Sequence, residues 1–392
     1  MIISQFRPDA PGKLIAATDA LGSRGHAFLP DPLPPKAEFG TKSIRLALSE
    51  ADREIGRLDS VAKRIERPHL LFRAFIRREA LLSSRIEGTH TTLADLVKYE
   101  ATRIPRTADD VHVENYVRAF LYGRTRVAEL PVDRALLNEL HSLLMEGYPD
   151  EAATAGRFRD CQVFVGAPPF SAARFVPPPE YFVNDLMENL GQYLDSDDES
   201  PLLKLAVAHY QFETIHPYRD GNGRLGRMMI SLWLQRAGIL TAPMLYLSAY
   251  FERHRASYYD ALLRVSTHGD WSNWLEFFLR GVAQQSRDAA RRMEVLLDLR
   301  ASYHRRVAGS RVAQGVLRLI DALFEIPVIS ITHASKLLGV TAKPARASIM
   351  KLVDAGILQR GTKDGTQVWY FAEELIKIAN MPLEEDPVPT LA

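Results

Sequence analysis

The stretch His216–Arg227, HPYRDGNGRLGR, constrains this chain more than any other part of it. It sets a histidine, a carboxylate, an amide, glycines and arginines in one short run. Before it, Leu202, Leu205, Ala206, His209, Phe212 and His216 recur at three-to-four spacing, the period of a helix face. After it, MMISLWL is apolar enough to be a buried helix. The fold must therefore hold a strongly polar loop between two buried helices. A glycine-rich turn that opens a helix points backbone N–H groups at one spot, and such a spot binds anions.

Gly221–Gly226 also matches G-x-G-x-x-G. The dinucleotide fingerprint needs a strand before it and the kinase glycine loop needs a strand pair. A helical segment precedes this one, so both folds are excluded and only the shared anion chemistry remains. Arg224 and Arg227, three apart, are expected as two cationic forks on one helix face. Asp220 is a candidate to hold a metal that bridges phosphates, because Mg²⁺ commonly uses one or two carboxylates plus phosphate oxygens. His216, at the end of the preceding helix, is placed to take a proton from an attacking hydroxyl. A lone Asp-Gly-Asn-Gly would be an ordinary turn with a capping Asp. The His-Pro ahead and the Arg-x-x-Arg behind set this one apart.

With 392 residues, two or three domains are expected. The formal net charge of +1 supplies no global field for nucleic acid or membrane, so any such partner needs a local patch. Cys161 is the single cysteine, which forbids an intrachain disulfide and suits a reducing compartment. The start, MIISQFRPDAPGKL, lacks the charged head and apolar run of a signal peptide, and no apolar run approaches a membrane span. A cytoplasmic location is expected, with no membrane contact. H-E-x-x-H, C-x-x-C and G-K-[ST] are all absent, which removes zinc-protease, zinc-ribbon and P-loop readings.

The rest of the chain reads as mainly α. Residues 1–42 are Pro- and Gly-rich with weak periodicity, and LPDPLPP is expected as an extended segment laid over a surface. Helices are expected over 43–63, 69–86, from Thr92 as a cap, 111–127 and 132–145. Cys161–Val165, bounded by prolines, reads as a small exposed β-hairpin. Helices return over 180–194, from Pro201, over 228–237, 251–265 and 270–299. Residues 287–300 are charged on most faces and read as a solvent-bridging connector. From Gly309 the order helix, helix, Gly339 turn, helix, then a strand pair with an Asp-Gly turn, reads as a winged helix. The last residues, MPLEEDPVPTLA, read as a disordered tail. The divisions expected are 1–110, 111–285, a connector at 286–308, a winged helix at 309–380 and a tail at 381–392.

HPYRDGNGRLGR resembles the signature of Fic-domain proteins, H-x-F-x-(D/E)-G-N-G-R-x-x-R, with Tyr218 where Phe is usual. The resemblance implies a Fic-type helical core that transfers AMP from ATP to a Tyr, Thr or Ser hydroxyl of a protein. In that likeness His216 is the general base and Asp220 holds Mg²⁺. Gly221, Asn222 and Gly223 cradle phosphates, within a nucleotide-binding run that continues through Arg224, Leu225, Gly226 and Arg227, where the two arginines take the outer phosphates. SSRIEG resembles the family's inhibitory (S/T)-x-x-x-E-(G/N) through Ser83, Glu87 and Gly88. Glu87 would pair with Arg227 and occupy a phosphate's place; the same carboxylate could orient a water that removes AMP. Val163, Phe164, Val165 and Gly166 resemble the flap on which a target segment docks, though an ordinary edge hairpin would look the same. Tyr258 and Tyr259 resemble adenine-pocket residues, with core packing equally open for each. Ser266 stands where an Asn is common. His209 is expected to be a packed histidine. The partners expected are a target protein at the flap, a second copy of the chain in a homodimer, and DNA at the winged helix. A contrasting reading makes the chain a DNA-binding regulator, with Lys343, Arg346, Ser348 and Lys351 on its recognition helix and Arg360 and Lys363 on its wing. The Fic core would then serve as nucleotide sensor or dimer scaffold.

Overall fold

The computed structural model describes residues 1–392 except 65–68, 103, 149–152, 198, 309–313, 365–366 and 380–392. The expected tail and the Gly365 turn position lie outside the described residues, as does the side chain of Lys363. The chain opens with an antiparallel hairpin, β1 (Gly12–Thr18) and β2 (Arg24–Pro30), in register from Gly12 opposite Pro30 to Thr18 opposite Arg24. The weak periodicity of this region gives no sign of it. Its buried positions include Ala17 and Ala27, side chains too small to write an alternating pattern. Asp19 closes the turn by accepting from the N–H groups of Leu21 (2.9 Å) and Ser23 (2.7 Å). The proline-rich segment does run extended over a surface. Leu33 is buried, and its N–H and C=O bond the Asn189 amide at 2.7 and 3.0 Å.

A helical body follows: α1 (Lys42–Lys63), α2 (His69–Ile86), α3 (Leu93–Thr102), α4 (Ala108–Arg126) and α5 (Arg134–Leu144). Next come α6 (Val183–Asp195), α7 (Pro201–Ile215) and α8 (Asn222–Arg236). After these are α9 (Ser248–Arg253), α10 (Arg255–His268) and α11 (Trp271–Val307). Thr92 caps α3 by accepting from Asp95 N–H (3.2 Å), and Pro201 opens α7, as expected. The single helix expected over 251–265 is instead two, broken at His254, whose ψ of 36° lies off the helical well. At the centre of the body lies α7, buried at thirteen of its fifteen positions. It is wrapped by α6, α8 and α11, and the Trp274 indole of α11 bonds the Ala206 carbonyl at 2.9 Å.

No connector interrupts α11, which runs 37 residues and packs along α1. Ala289, Ala290, Arg292, Met293, Leu296 and Tyr303 are buried in the half expected to face solvent. Its charges misled because they are paired: Arg287 with Glu50, Arg292 with Asp288 (2.7 Å), Arg300 with Asp321 (2.8 Å). Those pairs let an apolar stripe lie between arginines.

The C-terminal unit comprises α12 (Gln314–Glu325), β3 (Val328–Ser330), α13 (Ile331–Leu338), α14 (Ala342–Asp354), β4 (Gln359–Asp364), β5 (Gln367–Phe371) and α15 (Glu373–Ala379). Its sheet is antiparallel in the order β3-β5-β4, and Gly339 ends α13 at φ 67°. One continuous apolar cluster runs from α1 through this unit. Among the described residues no helix is long and apolar enough to cross a membrane.

Candidate active site

His216 caps the C-terminus of α7 in the left-handed region (φ 51°, ψ 62°), the one non-glycine with positive φ among the described residues. Such a conformation costs about 1–3 kcal/mol and needs surrounding support. Arg159 supplies it. Its buried guanidinium donates to the carbonyls of His216 (2.8 Å), Ile215 (3.3 Å) and Cys161 (3.0 Å), and to Pro178 O. The carbonyls of Ile215 and His216 are orphan acceptors of the α7 end, where a cation is also favoured by the helix dipole. Burial lowers the Arg159 pKa to about 10, which leaves it charged at neutral pH.

The His216 ring sits on the rim of a cavity, with Nδ1 donating to the Glu213 carbonyl at 3.3 Å. That bond assigns the proton to Nδ1 and leaves Nε2 as an acceptor. Burial holds the imidazole pKa down to about 4, so the ring is neutral near pH 7.

The loop after it is tied to itself. Asn222 accepts from Tyr218 N–H and donates to Tyr218 C=O, both at 2.9 Å. Its amide is therefore spent closing the loop rather than binding phosphate. Tyr218 is fully buried, and its hydroxyl donates to Asn138 Oδ1 at 2.8 Å, which satisfies the group that distinguishes it from Phe. Against it stacks His141, with ring centroids 3.9 Å apart. His141 accepts from Gly156 N–H (2.9 Å) at Nδ1 and donates to Asp220 C=O (3.0 Å) at Nε2, a neutral tautomer that its burial-depressed pKa of about 4 supports. Gly221 takes φ 78° at the N-cap of α8, where a left-handed residue is needed. The first-turn N–H groups of α8 lack partners within the helix, and Gly223 carries them to the cavity wall.

Across the cavity stands Arg227, buried, with Nε on Ser83 Oγ (2.9 Å) and Nη2 on Ser83 C=O (2.9 Å) and Glu87 Oε1 (2.6 Å). Burial opposes its charge, yet the Glu87 carboxylate, together with Tyr258, Tyr259 and Glu213 beside it, offsets this and raises its pKa above the ordinary value. An added Cβ at Gly223 would meet Glu87 Oε1 and the Arg227 guanidinium, so a larger residue there would have to displace the pair. Glu213 also lines the cavity, and its Oε1 has no hydrogen-bond partner. Burial lifts its pKa to about 7, with the Glu87 charge adding to this and Arg227 opposing it.

Of the residues singled out from the sequence, Glu87, Val165, His216, Gly223, Arg227, Tyr259 and Ser266 line this one cavity. Ser83 grips Arg227 from behind, and Gly88 ends α2 at φ 98°. Other residues go elsewhere. Arg224 turns away from the cavity that Arg227 lines. It is buried against the Tyr148 ring (5.3 Å), bonds that hydroxyl and pairs with Asp220 Oδ2 at 3.3 Å. Leu225 is core, and Gly226 gives room to Glu213 and Phe212. Tyr258 is buried beneath the cavity, stacked on Phe251 (4.4 Å) and bonded to His209 Nε2 (2.9 Å), so core packing decides it. His209 is the fully buried histidine expected, and burial takes its pKa to about 3. The flap hairpin is reduced to one antiparallel bridge, Val165–Phe175. Phe164 packs on Phe170 (6.0 Å) in a second small cluster with Ala17 and Ala27 of the N-terminal hairpin. Val163 and Gly166 flank that bridge, and Gly166 turns at φ 112°.

Sequence reasoning missed Glu213, Arg159, His141 and Arg174, the last lining the cavity and paired with Asp260 at 2.5 Å. Glu213 was findable: it lies three before His216, hence on the same face of α7. The other three come from distant segments, and nothing in the motif points to them.

A neutral histidine, a glycine-opened helix N-terminus and a buried arginine thus surround one cavity. Residues 131–234 match the Fic/DOC family and residues 45–125 match the Fic/DOC family N-terminal region. The chain is thus similar to the Fic/DOC family over these two segments. It is 36% identical over 171 residues to the protein adenylyltransferase fic-1 of Caenorhabditis elegans, covering 42% of this chain and 28% of that relative. To the protein adenylyltransferase Fic of Drosophila grimshawi it is 28% identical over 200 residues, covering 49% of this chain and 38% of that relative. These matches span well under half of the relatives' own length. A crystal structure of a Fic family protein from Desulfovibrio desulfuricans G20 has the same fold, with a TM-score of 0.54 at 23% identity over 84% of this chain and 96% of that one.

Proposed function

We propose that this chain transfers AMP from ATP to a Ser, Thr or Tyr hydroxyl of a protein, itself included, and that Glu87 restrains it. The observation that carries this is a single cavity holding a neutral His216 and, opposite it, Arg227 occupied by Glu87. The relatives named protein adenylyltransferases support it independently. In the reaction the hydroxyl oxygen bonds to the α-phosphorus. The bond from that phosphorus to the pyrophosphate oxygen breaks, His216 Nε2 receives the hydroxyl proton, and pyrophosphate departs. The α8 N-terminus at Gly223 and, once released, Arg227 stabilise the phosphate charge. Asp220 suits a Mg²⁺ shared with phosphates: its side chain is half exposed beside the α8 N-terminus, although it is one carboxylate and is paired with Arg224. When bound, Mg²⁺ would neutralise phosphate charge. Glu87 competes with the outer phosphate for Arg227, and on release is also placed to orient a water for AMP removal. The Val165–Phe175 edge at the cavity mouth is where a target segment would dock. A cytoplasmic site, rich in ATP and reducing for Cys161, goes with this reading.

Intact-mass spectrometry with ATP and Mg²⁺ on wild type, Glu87→Gly and the Glu87→Gly/His216→Ala double variant tests both parts. An AMP adduct on Glu87→Gly, weaker on wild type and absent from the Glu87→Gly/His216→Ala double variant, is expected. Adducts indifferent to His216 would overturn the reaction, and equal adducts on wild type and Glu87→Gly would overturn the restraint.

We also read the C-terminal unit as a winged helix that docks duplex DNA. Residues 331–360 hold five cations (Lys336, Lys343, Arg346, Lys351, Arg360) against one carboxylate (Asp354), a net +4 in a chain of net +1. Lys343, Arg346, Lys351 and Arg360 are exposed. Ser348, however, turns its hydroxyl back to Pro344 C=O (3.2 Å).

A further inference from the structure

The helix that leads to Glu87, α2, does not stand free along its middle turns. Arg77, on α2, is 1% exposed, and its Nη1 donates to Glu325 C=O, an end carbonyl of α12. The same guanidinium forks onto Glu100 of α3 at 2.6 and 2.9 Å. One turn of α11 completes the seat: Arg292 bonds Ile378 C=O of α15 (2.6 Å) and Asp288 (2.7 Å), and Asp288 takes Arg78 of α2 (3.5 Å). Around these bonds Phe75 of α2 meets Leu323, Phe324, Leu375 and Ile378 of the C-terminal unit about a small apolar cavity. Midway along α2, the buried Glu79 bonds Ser248 at the start of α9 and Tyr116 (3.3 Å). Ser83 and Glu87, beyond it, hold Arg227.

We propose that the C-terminal unit clamps α2 at its middle, through Arg77, and that loosening this clamp withdraws Glu87 from Arg227. The proposal rests on Glu87 acting as the brake. A continuous helix rises 1.5 Å per residue, so the ten residues from Arg77 to Glu87 form a lever of about 15 Å. Glu79, two residues beyond Arg77, anchors the same helix to Ser248 and Tyr116, so a tilt of α2 about that anchor moves Glu87 further than it moves Arg77. Arg77 and Glu325 C=O link the lever to α12, and α12 packs in turn on α13 and α14. A partner that draws the α12–α14 unit away from α2 therefore acts on the catalytic cavity without touching it. The coupling is reciprocal: a nucleotide that displaces Glu87 from Arg227 loosens the C-terminal unit's hold on α2.

The test uses the full chain carrying Arg77→Met with Glu100→Gln, which removes the α12 bond without stranding a buried charge. Phe324→Ala, on the other side of the seam, is the second variant. Circular dichroism establishes that each is folded. Hydrogen exchange is then read over residues 83–88 and over 201–236, and self-labelling by ATP is read beside Glu87→Gly. Exchange faster by about tenfold over 83–88 alone, with labelling raised toward that of Glu87→Gly, is expected. Unchanged exchange over 83–88 in both folded variants overturns the clamp whatever the labelling shows. Failure of Glu87→Gly itself to label would strike the assigned reaction instead, while exchange would still judge the clamp.

Discussion

Three side chains at the cavity carry most of its chemistry, and each is set by its immediate surroundings. Burial keeps His216 neutral, which suits it to the proposed base role. With its pKa near 4, kcat/KM of the Glu87→Gly variant should stay flat down through neutral pH and fall as pH drops through about 4, where the imidazole takes a proton. A fall centred near 6.5 would show an imidazole without that burial. Arg227 is held by a carboxylate and a serine. Losing one charge-assisted hydrogen bond of about 1.5–3 kcal/mol predicts a gain of about ten- to a hundredfold in labelling for Glu87→Gly. Glu213 faces the same cavity with a raised pKa, so the folded state binds its proton more tightly than the unfolded chain does. Its contribution is full below pH 4.5 and is lost as pH rises through about 7, a loss of about 3 kcal/mol. Glu213→Gln should therefore flatten that pH dependence, with its largest stabilisation relative to wild type at pH 8. Melting curves at pH 5 and pH 8 that shift in parallel for the two proteins would refute this.

At the scale of elements, the catalytic loop is a junction of two helix ends rather than a free loop. The C-terminus of α7 is stopped by a left-handed histidine and the N-terminus of α8 is started by a left-handed glycine. Arg159 satisfies the first end from a segment more than fifty residues earlier. Arg159→Met would leave those carbonyls buried and unpaired, at about 1–3 kcal/mol each. The expected result is a lower melting temperature together with a lower kcat, because the ring of His216 would lose its fixed aim. A variant that melts normally and labels normally would show that the arginine is dispensable to the turn. The flap follows the same logic: the N-terminal hairpin backs it through Phe170, Ala17 and Ala27, so a missed element supports an expected one.

Across the whole molecule, the C-terminal unit and the catalytic body share one apolar cluster, joined through α2, α11, α12 and α15. The connector expected between them is instead part of their common core. If the basic face of α14 docks DNA, Lys343→Glu with Arg346→Glu should lower affinity for a duplex and reduce the slope of log K against log salt by about two. Electrophoretic shifts at several salt concentrations read both, and an unchanged slope would assign the contacts to other residues.

What was legible came from local physics. Helix period, capping residues and glycine stops located most helices. Twelve consecutive residues sufficed to identify a phosphate-handling loop, because a helix N-terminus, its glycines and its histidine are neighbours in the chain. The pairing of Glu87 with Arg227 was legible only through the resemblance, since no local rule joins residues so far apart. Tertiary structure alone decided which of two arginines on one helix turns to the cavity and which to Tyr148. It also decided that Tyr258 is core, that Asn222 closes its own loop, and that charged α11 is buried. Each of those outcomes depends on what packs against the residue. Periodicity states only which side chains share a face, while burial and partners on other segments decide what that face meets.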